Sequence, residues 1–334
     1  MKKSTIAQTL TAAALAVAAL PAAHAQVSPL EVVDGFEGVF GKQAGFRRSG
    51  AKGICASATF TGTEAGKEMS SSAVFSGAKV PVTARFSLGG GNPKASDIAK
   101  ITRNMALKFN LPKGESWEMA NISAPFFAVA TPEQMLGFLK ARAVDPATGK
   151  NDPERIKAWN AANPEAKPQI DYLAKAPIPA SYGSVNYWGV STYKFRASNG
   201  RVEYVRYTFE PVKGLESLSE DEQKAKGANF LFDELRQRVA KAPVEFNMVV
   251  QVAENGDVLD NSTVAWPDTR KRVVVGKLSI DKVSADDKGE CVGITYNPMV
   301  VPSGVETGPD PLFVARASSY AVSLGRRLGE GAKQ

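Results

Sequence analysis

Histidine is almost absent from this 334-residue chain, whose single imidazole belongs to His24. A protein without histidine cannot build the nucleophile systems in which an imidazole moves a proton. It also cannot bind zinc or haem iron through histidine. If the segment that carries His24 is removed on export, the mature chain has no imidazole. The sequence therefore excludes Ser-His-Asp and Cys-His enzymes and histidine-ligated metal sites.

Cysteine is scarce as well, because Cys55 and Cys291 are the only two in the chain. Two cysteines cannot supply a four-thiolate metal site or hold an iron–sulfur cluster. They either form a disulfide with each other in an oxidising compartment or remain two buried thiols. Composition alone leaves both outcomes open.

Long hydrophobic runs are missing except near the N-terminus. Lys2 and Lys3 precede an apolar run over 10–20, and residues 23–25 are small enough for a cleavage site. The run is too short to span a bilayer. We expect residues 1–25 to be a signal peptide and the mature protein to be exported to a bacterial periplasm. We expect no membrane insertion.

Basic residues outnumber acidic ones only slightly, and the formal net charge is +7. This excess requires no nucleic-acid partner. The composition is 43% hydrophobic and 22% charged, which is typical of a globular protein with a large core. There are no internal repeats, low-complexity tracts or clear linkers. The sequence predicts a single domain over residues 26–334.

Eight segments alternate between apolar and polar residues with the two-residue period of a β-strand. They form two groups of four: 51–60, 79–88, 103–110 and 117–130, then 186–197, 201–210, 243–254 and 272–282. The tripeptide 198–200 (SNG) marks a hairpin between two of them. Few helical patterns separate neighbouring strands. The sequence therefore predicts an α+β fold built on an eight-stranded antiparallel β-barrel.

Helical patterns lie between and after the two strand groups. One starts at Asp152-Pro153, one covers 228–241 and one covers 310–324. In the last of these, Asp310 is the predicted N-cap and Pro311 the first helical residue. The polar segment 141–170 is predicted to run over the surface.

Closure of the predicted barrel bears on the two cysteines. A closed barrel makes its first and last strands neighbours. Cys55 lies on the first predicted strand and Cys291 follows the eighth. Barrel closure therefore favours a disulfide between them, which would contribute about 2–4 kcal/mol to stability.

Arg316 and Tyr320 lie four residues apart on the last predicted helix. Residues at i and i+4 share a helical face, so the guanidinium can reach the phenol oxygen. A fixed positive charge favours the phenolate form of a tyrosine, and a phenolate is a hard anionic ligand for ferric iron. Taken alone, the pair is weak evidence for such a site and is more typical of an exposed arginine beside a half-buried tyrosine on an amphipathic helix.

Motifs along the whole chain accompany this pair. They are 85–87 (RFS), 103–109 (RNMALKF), 117–127 (WEMANISAPFF), 266–267 (WP), 275–278 (VGKL) and 302–328, the last of which contains Arg316 and Tyr320. In this order they resemble the motifs of catalases, and residues 302–328 resemble the haem-binding helix of that family. The likeness covers roughly residues 30 to 329 and is greatest to the catalase-related peroxidases, which are short, exported haem peroxidases of the catalase family.

The resemblance implies a haem b in the barrel, with Tyr320 as the axial iron ligand and Arg316 as the cation that keeps it ionised. Asn121 matches the distal asparagine that hydrogen-bonds peroxide. Arg47 and Arg85 match partners of the haem propionates, which suits the planar fork of a guanidinium. The implied reaction uses hydrogen peroxide or an organic peroxide to oxidise a small organic electron donor. We expect a monomer or a small homo-oligomer.

One position departs from the family pattern. The family has R-x-x-H followed by Ala or Val, a basic residue and Gly, whereas residues 47–53 read RRSGAKG. Gly50 therefore stands where the distal histidine is expected, on what we predict to be a strand. Losing a positioned acid–base group costs about 10² to 10⁴ in rate. Ser49 would point to the opposite face, and Lys52 matches the family's own basic residue, so neither replaces the imidazole.

Three functions remain open on the sequence. The first, which we favour, is a periplasmic haem peroxidase with weakened acid–base catalysis. The second is a non-enzymatic periplasmic haem-binding or sensor protein on the same scaffold. The third is an exported barrel for another apolar ligand, and the Arg316–Tyr320 pair argues against it.

Overall fold

The computed structural model describes residues 27–285 and 289–331 of the chain. The predicted signal peptide, residues 1–25, lies outside the described residues. Within the described ranges, no helix has both the length and the apolar character needed to cross a membrane.

Eleven β-strands are present in the described residues. They are β1 (Gly53–Gly62), β2 (Lys79–Leu88), β3 (Arg103–Asn110), β4 (Ser116–Ile122), β5 (Val144–Asp145), β6 (Lys150–Asn151), β7 (Tyr187–Arg196), β8 (Val202–Pro211), β9 (Val244–Val252), β10 (Arg272–Val283) and β11 (Val305–Thr307). Strands β5 and β6 form a separate two-stranded sheet, and β11 pairs with β7 at the edge of the main sheet.

The other eight strands close into an antiparallel barrel, which confirms the predicted fold. Strands β1 to β4 form one half and β7 to β10 the other, with β10 pairing to β1 and β4 meeting β7. All strand bounds but one lie within two residues of the prediction, and two of the differences bear on the site. Strand β4 ends at Ile122 rather than at residue 130, since Pro125 has no N–H for the ladder. Strand β1 starts at Gly53, because the residues before it form a turn.

The helices are α1 (Pro29–Phe40), α2 (Glu64–Met69), α3 (Pro132–Arg142), α4 (Pro153–Ala162), α5 (Lys167–Lys175), α6 (Glu220–Lys226), α7 (Leu231–Lys241) and α8 (Leu312–Gly331). The sequence predicted α4, α7 and α8. Asp152 caps α4, whose residues are all at least partly exposed, as expected for the surface segment 141–170. Helix α8 extends well beyond the predicted end at residue 324. The sequence analysis missed α1, although Ser28 and Glu31 form a capping box at its start.

Aromatic side chains fill the interior of the barrel. Trp117 of β4 is fully buried and packs edge-on against Phe75, Phe195 and Tyr207, with ring centroids 5.9 to 6.3 Å apart. An eight-stranded barrel is just wide enough for such side chains to fill it. The interior is therefore a hydrophobic core. A planar cofactor has to bind outside it, which corrects the expectation of a haem within the barrel.

Cys55 and Cys291 form a disulfide, as barrel closure favoured. Their Cα atoms are 5.5 Å apart, within the normal range for such a bond. Cys55 lies on the outward face of β1. The bond attaches the segment that follows β10 to the outside of the barrel.

Candidate functional site

The beginning of α8 is fixed to the barrel. The Asp310 carboxylate accepts a hydrogen bond of 2.9 Å from the first N–H of the helix, as its predicted capping role requires. One residue further on, Phe313 packs edge-on against Tyr193 of β7, with ring centroids 5.1 Å apart. These contacts position the next two turns, which carry Arg316 and Tyr320.

Ion pairs fix the other end of α8. Arg326 pairs with Asp34 at 2.6 Å and with Glu37 at 2.9 Å, both on α1. Glu330 accepts two hydrogen bonds from Arg48, at 2.7 and 2.9 Å, and Arg48 also binds Glu37 at 2.7 Å. The hydrogen bond from Arg48 lowers the pKa of Glu330 to about 2. Helix α8 is therefore attached both to α1 and to the turn that precedes β1.

The Arg316–Tyr320 contact predicted from the i, i+4 spacing is present. Arg316 donates to the Tyr320 hydroxyl oxygen from Nε at 3.2 Å and from Nη2 at 3.1 Å. Burial disfavours the charged form of Arg316, but the Tyr320 oxygen outweighs burial and raises the pKa of the guanidinium. The helix thus presents an oxygen ligand beside a fixed positive charge.

Arg47 lies close to this pair. Its Nη2 donates to three backbone carbonyls in segment 291–294, at 2.7 to 3.3 Å, and its guanidinium is 5.6 Å from the ring centre of Tyr296. Burial, and next the positive charge of Arg85, lower the pKa of Arg47 to about 10, while the Tyr320 oxygen acts in the opposite direction. Arg47 is therefore close enough to both the β2 arginine and the α8 tyrosine for their charges to act on it.

Arg85 holds the turn before β1 from the outer face of β2. Its Nη1 donates to the carbonyl oxygen of Gly50 at 2.7 Å, and its Nη2 to that of Ala51 at 3.4 Å. A Cβ at Gly53 would lie 2.4 Å from Arg85 Cζ, so only glycine lets the guanidinium lie against β1. A Cβ at Gly50 would lie 3.0 Å from Ser87 Oγ. The Gly50 position therefore faces Ser87.

Gly50 lies in this turn and not on a strand, which corrects the prediction. Its φ of +69° is in the left-handed region that favours glycine. Strand alternation consequently says nothing about the direction of Ser49. Lys52 is held by Asp97 Oδ1 at 2.6 Å and Asn229 Oδ1 at 2.7 Å, so its expected structural role is confirmed.

Two buried side chains that sequence reasoning missed join the cluster. Arg327 is 5% exposed, and its Nε and Nη2 have no hydrogen-bond partner within residues 27–285 and 289–331. Burial, and then the charge of Arg47, lower its pKa to about 10. Tyr296 has an unusual φ of +56°, and its buried hydroxyl likewise has no partner in the described ranges. Arg327 could have been found, since it lies seven residues after Tyr320 on the same helical face.

Asn121 is not brought into this cluster. It shares its face of β4 with Trp117 and Met119, which belong to the barrel core, and it is 1% exposed. Its Nδ2 donates to the backbone oxygen of Met105 at 2.9 Å. The predicted role of Asn121 as a distal amide therefore lacks geometric support.

Comparison with known proteins agrees with the geometry. Residues 43–334 match the family model described as Catalase. A catalase-related peroxidase of Synechococcus elongatus is 39% identical over 315 residues, which is 94% of this chain and 93% of the relative. A second catalase-related peroxidase, from Mycolicibacterium paratuberculosis, is 33% identical over 306 residues and covers 91% and 96% of the two chains. The chain belongs to the catalase family.

Solved catalases share the fold of this catalase-family chain. A fungal catalase aligns with a TM-score of 0.78 at 22% identity, covering 88% of this chain and 62% of its own. Catalase A of Saccharomyces cerevisiae aligns with a TM-score of 0.77 at 22% identity, covering 86% and 62%. The catalase-family chain thus spans about 62% of the length of these two structures.

Catalase-family proteins bind haem, and the cluster outside the barrel fits that group. Haem carries two carboxylates and an iron that needs an axial ligand. The unpartnered N–H groups of Arg327 and the unpartnered hydroxyl of Tyr296 are buried donors that a carboxylate would satisfy. The Tyr320 oxygen is a ligand suited to ferric iron. By contrast, the described residues contain no group of three or more His, Cys, Asp or Glu side chains that could hold a bare metal ion.

Proposed function

We propose that this protein is a haem-dependent peroxidase that uses hydrogen peroxide or an organic peroxide to oxidise a small organic donor. The observation that carries the proposal is the Tyr320 oxygen, held by Arg316 at 3.1 and 3.2 Å in a cluster with Arg327, whose buried Nε and Nη2 have no hydrogen-bond partner in the described ranges. The names of the two catalase-related peroxidases, which resemble nearly the whole chain, support the same class of reaction.

In this proposal the cofactor is haem b, bound between α8 and the outer face of the first barrel strands. The Tyr320 oxygen would ligate the haem iron, with the Arg316 guanidinium as the cation beside it. The guanidinium groups of Arg47, Arg85 and Arg327 bind the two propionates, because buried cations gain most from carboxylate partners. Bound haem supplies the redox chemistry that cleaves the O–O bond of peroxide.

Proton transfer is the weak step of the proposed reaction. Gly50 takes the place of the family's distal histidine, and the chain has no histidine after residue 24. Peroxide must therefore lose its proton to water or hydroxide instead of to a positioned base. We expect the rate with hydrogen peroxide to rise with pH. Peroxy acids should react faster, because they release their proton more readily.

The proposal is tested by optical spectra of haem-loaded protein before and after a pulse of peroxide, with and without a phenol as donor. A peroxidase should show a changed spectrum that the phenol returns to the starting form, with oxidised phenol accumulating. A haem spectrum that excess peroxide leaves unchanged at every pH would contradict it. That result would favour the second candidate, a non-enzymatic haem-binding or sensor protein, for which the glycine at position 50 is the supporting observation.

We also propose that the protein is periplasmic, with residues 1–25 removed as a signal peptide. The disulfide between Cys55 and Cys291 supports an oxidising compartment. N-terminal sequencing of the protein recovered from a periplasmic extract should then start at Gln26. An intact Met1 on protein from the cytoplasmic fraction would contradict export.

A further inference from the structure

We propose that Asn104, and not Asn121, supplies the amide that hydrogen-bonds the peroxide in this site. The inference rests on the haem binding proposed above and assigns a residue of this chain to the substrate. It is carried by strand register, by the hydrogen-bonding state of the two amides and by the contacts of the Gly50 turn.

Strand register puts the two asparagines on opposite faces of the same sheet. Along one row, Gly53 pairs with Ser87, Ser87 with Asn104, and Asn104 with Ile122. Successive residues of a strand point to opposite faces, so the neighbouring row, which ends at Asn121, points the other way. That neighbouring row belongs to the packed interior, because its members Ile54, Phe86 and Met105 are each 0% exposed and Asn121 is 1% exposed.

The row that contains Gly53, Ser87 and Asn104 lies on the outer face of the barrel, toward the site. Arg85 lies two residues before Ser87 on the same face of β2, and it donates to the carbonyl oxygen of Gly50. A Cβ at Gly50 would approach Ser87 Oγ at 3.0 Å. Since paired strands lie about 4.8 Å apart, Asn104 is the next position beyond Ser87 on that face. The last residue of the row, Ile122, is apolar, so Asn104 is the one amide among the four.

Hydrogen bonding separates the two amides further. Asn121 already uses its Nδ2 to bind Met105 O at 2.9 Å, inside the core. Its Oδ1 has no partner in the described ranges, but the residue is 1% exposed and shares its strand face with the fully buried Trp117 and Met119. Asn104 Oδ1 is likewise buried and without a partner in those ranges, although its residue is partly exposed on the outer face. Asn104 is therefore the amide that a ligand can reach.

A carboxamide can replace only part of what a histidine at position 50 would do. It donates through Nδ2 and accepts through Oδ1, so it can bind both the anionic and the protonated oxygen of a hydroperoxide. It does not titrate, so it cannot remove the peroxide proton. We therefore expect Asn104 to orient the peroxide while leaving the reaction dependent on pH.

The test uses haem-loaded wild-type protein and Asn104→Leu, titrated with sodium fluoride and followed by absorbance. Fluoride ligates ferric haem iron and accepts a hydrogen bond from a neighbouring donor. Losing one hydrogen bond to a charged acceptor should weaken fluoride binding about tenfold or more. The rate with hydrogen peroxide should fall by a similar factor at every pH, with the shape of the pH profile unchanged.

Asn121→Leu is the matched control, because it removes an amide from the next strand on the opposite face. Its fluoride Kd should stay within about twofold of wild type, and its effect should be confined to thermal stability. If Asn104→Leu does not load with haem, Asn104→Ala removes the same amide without adding volume.

Unchanged fluoride binding in a fully haem-loaded Asn104 variant would overturn the inference while leaving the proposed peroxidase intact. The inference would also be overturned if Asn121→Leu weakened fluoride binding as much as the Asn104 variant does. Wild-type protein that takes up no haem would defeat the proposed function itself, and the role of Asn104 with it. If wild-type protein takes up haem but does not react with peroxide, the fluoride titration still decides whether Asn104 donates a hydrogen bond to a ligand of the iron.

Discussion

Gly50 combines a backbone constraint with the histidine replacement on which the proposed weak proton transfer depends. Its φ of +69° costs any L-residue about 1–2 kcal/mol, and a Cβ there meets Ser87 Oγ at 3.0 Å. A histidine can be placed at this position only if the turn tolerates that strain. The Arg85 hydrogen bonds to the carbonyls of Gly50 and Ala51 oppose any large movement of the turn.

Gly50→Ala and Gly50→His therefore form a matched pair. Both should lower the free energy of unfolding by about 1–2 kcal/mol, because both place a Cβ at positive φ. Only the histidine variant adds a base, so it alone should speed the reaction with hydrogen peroxide, by about 10² or more. The gain should be smaller with peroxy acids.

Stopped-flow rates of the haem-loaded wild type and both variants, with denaturation curves, check this prediction. Equal peroxide rates for wild type and Gly50→His would mean that another group handles the proton.

Tyr320→Phe should yield protein that purifies without stoichiometric haem. The substitution removes the oxygen that Arg316 holds and leaves the helix face otherwise unchanged. Haem content per chain, read from the absorbance spectrum, is the measurement. Tyr204→Phe, on barrel strand β8, is the control and should load normally. Wild-type haem content with an unaltered spectrum in Tyr320→Phe would refute the axial assignment.

At the scale of elements, the geometry of the site depends on how α8 is held. Arg326 and Glu330 near its C-terminal end bind α1 and the turn before β1. This anchoring explains why the helix continues past the predicted stop near residue 324. The same contacts place Arg327 in the arginine cluster.

Acid should loosen α8. The hydrogen bond from Arg48 lowers the pKa of Glu330 to about 2, whereas the pKa of a glutamate in the unfolded chain is about 4.3. A carboxylate whose pKa is lower in the folded than in the unfolded state stabilises the fold fully above its unfolded pKa. This stabilisation is lost as the pH falls through the folded pKa. The advantage of wild type over Glu330→Gln should therefore be constant from pH 7 to about 5 and disappear toward pH 2.

Thermal unfolding midpoints across this range, for both proteins, measure the effect. Glu68→Gln, at an exposed carboxylate of α2, is the control and should track wild type at all pH values. A wild-type advantage that persists unchanged at pH 2 would show that the Arg48–Glu330 contact does not stabilise the fold.

At the scale of the whole molecule, the disulfide connects barrel closure to the site. Cys55 belongs to the first strand, and Cys291 begins the segment whose carbonyls bind Arg47. Removing both cysteines as Cys55→Ala with Cys291→Ala should lower the free energy of unfolding by about 2–4 kcal/mol. It should also weaken haem retention, because segment 291–294 loses its attachment to the barrel.

Urea denaturation and haem transfer to apomyoglobin measure the two effects. Wild type in dithiothreitol should behave like the double variant. Two free thiols in denatured, unreduced wild-type protein would show that the bond does not form.

Features that depend on local repetition could be predicted from the sequence alone. The two-residue period of eight segments predicted the barrel, and the i, i+4 spacing placed Arg316 beside Tyr320. These patterns need no knowledge of distant contacts, because one strand or one helix decides which of its own residues share a face.

The tertiary structure was needed to show which amides, turns and arginines lie next to one another. Asn104 and Asn121 point to opposite faces of the sheet, and a shift of one residue along a strand moves a side chain from solvent to core. The turn at Gly50 is held by Arg85, and α8, which carries the buried Arg327, is held by ion pairs with α1 and with Arg48; these partners are far apart in sequence. Such contacts leave no periodic trace in the chain, so they become visible only once the barrel has closed and α8 has docked against it.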